Sequence, residues 1–145
     1  MIHAEILQPL VALMGWTMIM WLWMYATRIP AMSKAGIDGK NMVGETGAGL
    51  RGKLPDSVNW KADNYNHLHE APTLFYAVGV VLAIVGQGDN LNVLLAWIYV
   101  GLRVAHSLVQ STRNVVMVRF VLFALSSLIL AALIVNAAMA VFGWH

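Results

Sequence analysis

The stretch VVMVRFVLFALSSLILAALIVNAAMAV, residues 115–141, carries a single charged side chain, Arg119. At about 1.5 Å of rise per residue it outruns the roughly 30 Å hydrocarbon core of a bilayer, so it reads as a membrane span that tilts or projects. Three more runs upstream have the same character: about 91–110, about 67–85 and about 6–26. The chain is 145 residues long, 59% hydrophobic and 11% charged, far from the balance that keeps a domain in water. The expected fold is an all-α membrane protein, a four-transmembrane-helix bundle running up-down-up-down, with both termini on the same side. Little chain remains for anything else, so residues 1–145 read as one domain, with one long connection over about 27–60.

The first run is not read as a secretory leader. His3 and Glu5 precede it in place of a basic segment, and its apolar stretch is too long. Pro9 suits the first turn of that helix, where a missing N–H costs nothing. Cysteine is absent, which excludes disulfides, thiolate metal sites and a cysteine nucleophile.

Orientation follows the cations. Arg28, Lys34, Lys40, Arg51, Lys53 and Lys61 follow the first span, and Arg113 and Arg119 bracket the third connection. The second connection, GQGDN, carries Asp89 and no cation. The positive-inside rule therefore puts the first and third connections in the cytoplasm and both termini outside. Trp21, Trp23 and Tyr25 are expected at the cytoplasmic interface and Trp144 at the other. A net charge of +2 gives no reason to invoke nucleic acid.

Within the long connection, GAGLRGKL matches both a dinucleotide fingerprint and most of a phosphate-binding loop. Both need a preceding strand and a βαβ setting, and the second also needs Ser or Thr where Leu54 stands. The glycines are read as a flexible loop.

Polar residues gather on the third span. Arg103, His106, Ser107, Gln110, Arg113 and Asn114 fall on about a third of a helix circumference. An arginine well inside the hydrocarbon costs on the order of 3 kcal/mol, so this face should meet protein, a watery crevice or a ligand. The start of the second span, NYNHLHEAPTLF, offers Asn66 and Glu70 four apart and His67 three before Glu70. An Arg103–Glu70 ion pair is expected, with Asn66 and His106 satisfying the remaining donors and acceptors. His67 and His69 point to different helix faces, so no metal site is expected. Asn136, isolated on the fourth span, reads as a helix–helix hydrogen bond. Arg119 sits in the first turns of the fourth span, where a cation opposes the helix dipole and needs an anionic partner.

Four spans, the basic first connection, Asn66 through Pro72 with TLF opening the second span, and Arg-Val-Ala-His at 103–106 resemble the MAPEG family, membrane-associated proteins in eicosanoid and glutathione metabolism. LPDSVNWKADNYNHLHEAPTLFYA is similar to its bacterial branch. The resemblance implies a homotrimer in a bacterial inner membrane, with glutathione as cosubstrate between subunits. It also implies transferase or peroxidase chemistry on lipophilic electrophiles or lipid hydroperoxides. By the same resemblance Arg119 is the catalytic residue that stabilises the thiolate. Asn66, Glu70, Arg103, His106, Gln110 and Arg113 are the expected glutathione contacts. Ala62 and Gln110 stand where the family carries arginine and tyrosine. Those departures motivate a rival reading, a non-catalytic membrane protein that binds lipid or a partner and uses the buried ion pair only as glue.

Overall fold

The computed structural model describes residues 4–143, so Trp144 lies outside the described residues. Its helices are α1 (Leu7–Lys34), α2 (Asp56–His67), α3 (Ala71–Ile84), α4 (Asn90–Thr112) and α5 (Val116–Phe142), with one 3-10 turn at Gly47–Leu50. Among the described residues no strand forms beyond an isolated bridge between Arg51 and Leu54. Four segments are long and apolar enough to cross a membrane: α1, α2 with α3, α4, and α5.

The second span departs from the expected 67–85. Helix begins at Asp56 and is interrupted after His67. α3 has 14 residues, about 21 Å of rise, too short to cross alone. α2 completes it although its sequence, DSVNWKADNYNH, is polar, because its inward face buries Val58, Asn59, Lys61, Ala62 and Asn64 against protein. The interruption comes from Pro72, in the first turn of α3. Its ring would collide with the carbonyl four residues back, at Leu68, so one helix cannot run through. Glu70 takes up the bend (φ −91°, ψ −104°).

α1 also outruns its expected end near residue 26, continuing through Pro30 to Lys34. The end of an apolar run marks where the helix leaves lipid, not where it unwinds. The true connection is therefore 35–55, and it is anchored. Leu50, Leu54 and Val58 form a small apolar cluster against Ala31, Met32, Ile37 and Met42. The glycine-rich run thus folds as one 3-10 turn with Leu50 buried.

The main core joins all four spans through Ile6, Leu10, Leu13, Phe75, Leu82, Tyr99 and Leu133. Phe75 stacks on Tyr99 with ring centroids 4.3 Å apart. The outer surface is equally apolar, with Val11, Met18 and Leu22 of α1 and Met117, Val121, Leu128 and Val135 of α5 exposed. Such a continuous apolar coat suits lipid tails, not water. Polar ties fix the register inside. Ser107 Oγ of α4 accepts from Trp16 Nε1 of α1 at 3.0 Å and from Asn64 Nδ2 of α2 at 2.7 Å. At the opposite end Asn136 Nδ2 donates to Asn92 Oδ1 at 2.7 Å, the expected helix–helix bond. Lys61 lays its stem on α2, donates to Ser57 O at 2.9 Å and stands 5.1 Å over the Trp23 ring.

Gly79 is where α3 comes closest to α1. A Cβ there would sit 2.6 Å from Leu10 Cδ1, a side chain already buried in the core. Gly79→Ala should therefore overpack the contact and cost about 1–3 kcal/mol, read as a lowered melting temperature in detergent. An unchanged melt would mean that the two helices separate freely at this point.

Candidate functional site

The α4 stripe points inward over most of its length. Arg103, His106, Ser107 and Gln110 are buried, whereas Arg113 is exposed and Asn114 half-buried. The stripe ends there because α4 ends at Thr112, and Asn114 enters the left-handed region (φ 51°), which asparagine tolerates well.

The Arg103–Glu70 pair does not form. Arg103, only 1% exposed, instead makes a long 3.5 Å bond from Nη2 to the carbonyl of His67, and its guanidinium lies 6.0 Å from the Tyr99 ring centroid. The bend at residues 68–70 explains the change. It breaks the four-residue face relation that placed Glu70 beside Asn66, and turns the Glu70 carboxylate outward to 66% exposure. The carbonyl of His67, at the C-terminus of α2, accepts from Glu70 N–H at 3.2 Å and keeps a second lone pair for Arg103, at the helix end that favours a cation. Glu70 Oε2 takes His67 Nδ1 at 2.8 Å. Nε and Nη1 of Arg103 find no hydrogen-bond partner among the described residues.

Two of the clefts at the end of the bundle that carries the long connection hold residues expected in the site. The lateral cleft, about 260 Å³, is lined by His67, His106, Val116, Arg119, Phe120 and Phe123. The His67 ring centroid is 4.9 Å from that of His106 and 5.8 Å from that of Phe123. Val116 and Phe120 are 73% and 63% exposed, so the cleft opens to the side of the bundle through an apolar rim. Asn114 Oδ1 accepts from Arg119 Nη1, which ties the guanidinium to the α4–α5 turn. Arg119 Nε is buried without a partner. A cation in the first turn of α5 faces the positive end of that helix, so its favourable partner is an anion.

The second cleft, about 460 Å³, lies between α1, α2 and the long connection, with Tyr25, Arg28, Arg51, Asn59, Tyr65 and Asn66 in its wall. Arg28 Nη2 donates to Gly47 O at 3.2 Å, and Arg51 pairs with Asp63. Arg28 Nε and Asn59 Oδ1 are buried and unbonded. This cleft presents the guanidinium of Arg28, that of Arg51 already paired with Asp63, and amides and phenols, a donor set that suits an anion.

The expected site residues thus divide. Arg119 and His106 share the lateral cleft; Asn66 lines the other. Arg103 stands behind His67, and Glu70 reaches the lateral cleft through the His67 ring. Gln110 is buried with its Oε1 unbonded and lines neither cleft, and Arg113 lines neither. Sequence reasoning missed Arg28 and Arg51, which it took for orientation signals, and His67, Phe120 and Phe123. The spacing of α1 would have found Arg28 had the helix been carried past residue 26.

Comparison with curated proteins and with solved structures gives no significant match. The model of the MAPEG family, however, matches residues 6–139, which takes in the whole of both clefts and nearly all of the four spans. With that coverage over a bundle of membrane-crossing helices, the chain belongs to the MAPEG family and is an integral membrane protein related to glutathione and eicosanoid metabolism.

Proposed function

We propose that this protein is a glutathione-dependent transferase or peroxidase that attacks lipophilic electrophiles or lipid hydroperoxides with an arginine-stabilised thiolate. The observation that carries the reading is Arg119: a guanidinium held by Asn114, with a buried unpaired Nε, on the wall of a cleft with an exposed apolar rim. A free thiol has a pKa of about 8.5, and each unit of depression corresponds to about 1.4 kcal/mol of preference for the anion. A fixed guanidinium beside the sulfur supplies a preference of that kind without reorganisation. Substrate dissolved in the bilayer reaches the sulfur laterally past Phe120, while the tripeptide enters from the aqueous side, where Arg28 and Arg51 attract its carboxylates.

In this reading the residues form one domain over 1–145 that assembles as a homotrimer. Asn66 and His106 contribute to glutathione binding from the cleft walls and Glu70 and Arg103 through His67, with the two clefts joined across subunits; Gln110 and Arg113, which line neither cleft, contribute only if that junction reaches them. The membrane is a bacterial inner membrane, with the 35–55 connection and the α4–α5 turn in the cytoplasm, as the cation distribution favours. The rival, a non-catalytic protein glued by an Arg103–Glu70 pair, lacks that glue, because Glu70 bonds His67 instead.

The test is direct. Detergent-purified protein with glutathione should conjugate an activated aryl halide or reduce a lipid hydroperoxide, and calorimetry should detect glutathione binding. Neither turnover nor binding would end the proposal. Asn114→Gly keeps the left-handed backbone and deletes the Oδ1 that holds Arg119. It should lower turnover about tenfold, the value of one charge-assisted hydrogen bond, with the oligomer unchanged by gel filtration. Full turnover in that variant would mean that Arg119 needs no tether.

A further inference from the structure

We propose that His67, held by Glu70, is the proton-transfer residue of the lateral cleft, and that the cleft is therefore suited to carbonyl-conjugated alkenes and quinones. This rests on the reading of the cleft as a thiol site.

The geometry has three parts. Glu70 Oε2 lies 2.8 Å from His67 Nδ1, and an ionised carboxylate only accepts, so Nδ1 carries the proton and the lone pair of the neutral ring resides on Nε2. Nε2 is buried and has no partner in the protomer, while its ring forms part of the cleft wall with Arg119 and His106. Glu70 is 66% exposed, so the pair is open on one side and borders the cleft on the other. A carboxylate orients an imidazole in this way wherever a histidine moves protons. The other charged or titratable groups around the ring are Arg103 behind its carbonyl, His106 from α4 and Arg119 from α5. The two arginines keep the surroundings cationic, which favours a thiolate and an enolate.

The step balances without a further reactant. The thiol S–H bond breaks and its proton passes to Nε2, leaving the electron pair on sulfur beside Arg119. Sulfur forms a bond to the β-carbon of the alkene. The π pair shifts toward the carbonyl oxygen, and the resulting enolate takes the proton back from Nε2. Two faces of the cleft match such a substrate. The rings of Phe120, Phe123, His67 and His106 suit a flat conjugated molecule, and about 260 Å³ accommodates one or two rings. Halide displacement differs, because the leaving group departs as an anion and no proton returns.

The experiment compares His67→Ala and Glu70→Gln with wild type, using glutathione with a conjugated enone and with an activated aryl halide. Aryl halide turnover is read about one pH unit above the pKa of the free thiol, where deprotonation needs no base. His67→Ala should lose at least about thirtyfold more enone addition than aryl halide turnover, both substrates sharing the loss of the ring from the cleft wall, and enone addition should regain at least about tenfold when free imidazole is added. Glu70→Gln, a substitution at an exposed side chain, should lower enone addition about tenfold at saturating glutathione. Equal losses with both substrates and no imidazole rescue would overturn the assignment, as would an unchanged Glu70→Gln enzyme. A wild type inert toward both substrates would instead fail the thiol reading itself, before any variant is made.

Discussion

Arg119→Ala should reduce thiol turnover by about two to three orders of magnitude while the oligomer and its melting temperature stay near wild type. The size follows from the value of a preorganised charge aimed at a developing anion, about 3–4 kcal/mol in a water-poor site. The indifference of stability follows from the structure. Arg119 bonds only to Asn114 in the adjacent turn, and in the first turn of α5 it opposes the helix dipole, so its loss removes as much repulsion as attraction. Arg119→Lys should recover only part of the rate, because an ammonium cannot bond Asn114 and a sulfur with the same planar fork. The measurements are conjugation or peroxidase rates beside a melt in detergent. A variant that loses its fold along with its activity would assign Arg119 to structure.

Arg103→Met should raise the melting temperature in the absence of glutathione and weaken glutathione's own stabilising effect. The magnitudes decide the sign. Withdrawing a guanidinium from water costs several kcal/mol even after relaxation. Against this Arg103 offers one long bond to the His67 carbonyl and a 6.0 Å approach to the Tyr99 ring, with two nitrogens unbonded. Those contacts together supply about 1–3 kcal/mol. Methionine fills similar space without the desolvation cost, so the net gain should be about 1–2 kcal/mol, or roughly 3–6 °C. If Arg103→Met melts well below wild type, the guanidinium is instead the pin that secures the α2–α3 bend.

Arg103 acts at a bend that sequence reasoning did not foresee, and the reason lies in what hydropathy measures. The four spans were legible because lipid demands about 20 apolar residues, a requirement that α4 and α5 satisfy in full. α2 satisfies no such demand. Its helix survives on one buried face, with Asn64 fully enclosed and bonded to Ser107, so a polar sequence crosses what an apolar window had called a loop. The pairing of Arg103 with Glu70 was a fair inference for one continuous helix and failed because Pro72 prevents continuity. Arg119 and His106 stood out since a cation or imidazole beside hydrocarbon is costly wherever it lies. Arg28 gave no such signal, because a cation near a membrane boundary is also what sets orientation.

The claim on which the account turns is that Arg119 converts a bound thiol to its anion. Ultraviolet difference absorbance of the thiolate, recorded on titrating glutathione into purified protein at neutral pH, measures this directly, since free glutathione is then almost wholly protonated. Wild type should show a thiolate band that saturates with binding, and Arg119→Ala should bind glutathione by calorimetry without the band. A wild type that binds glutathione with no thiolate signal, or equal bands in both proteins, would contradict it.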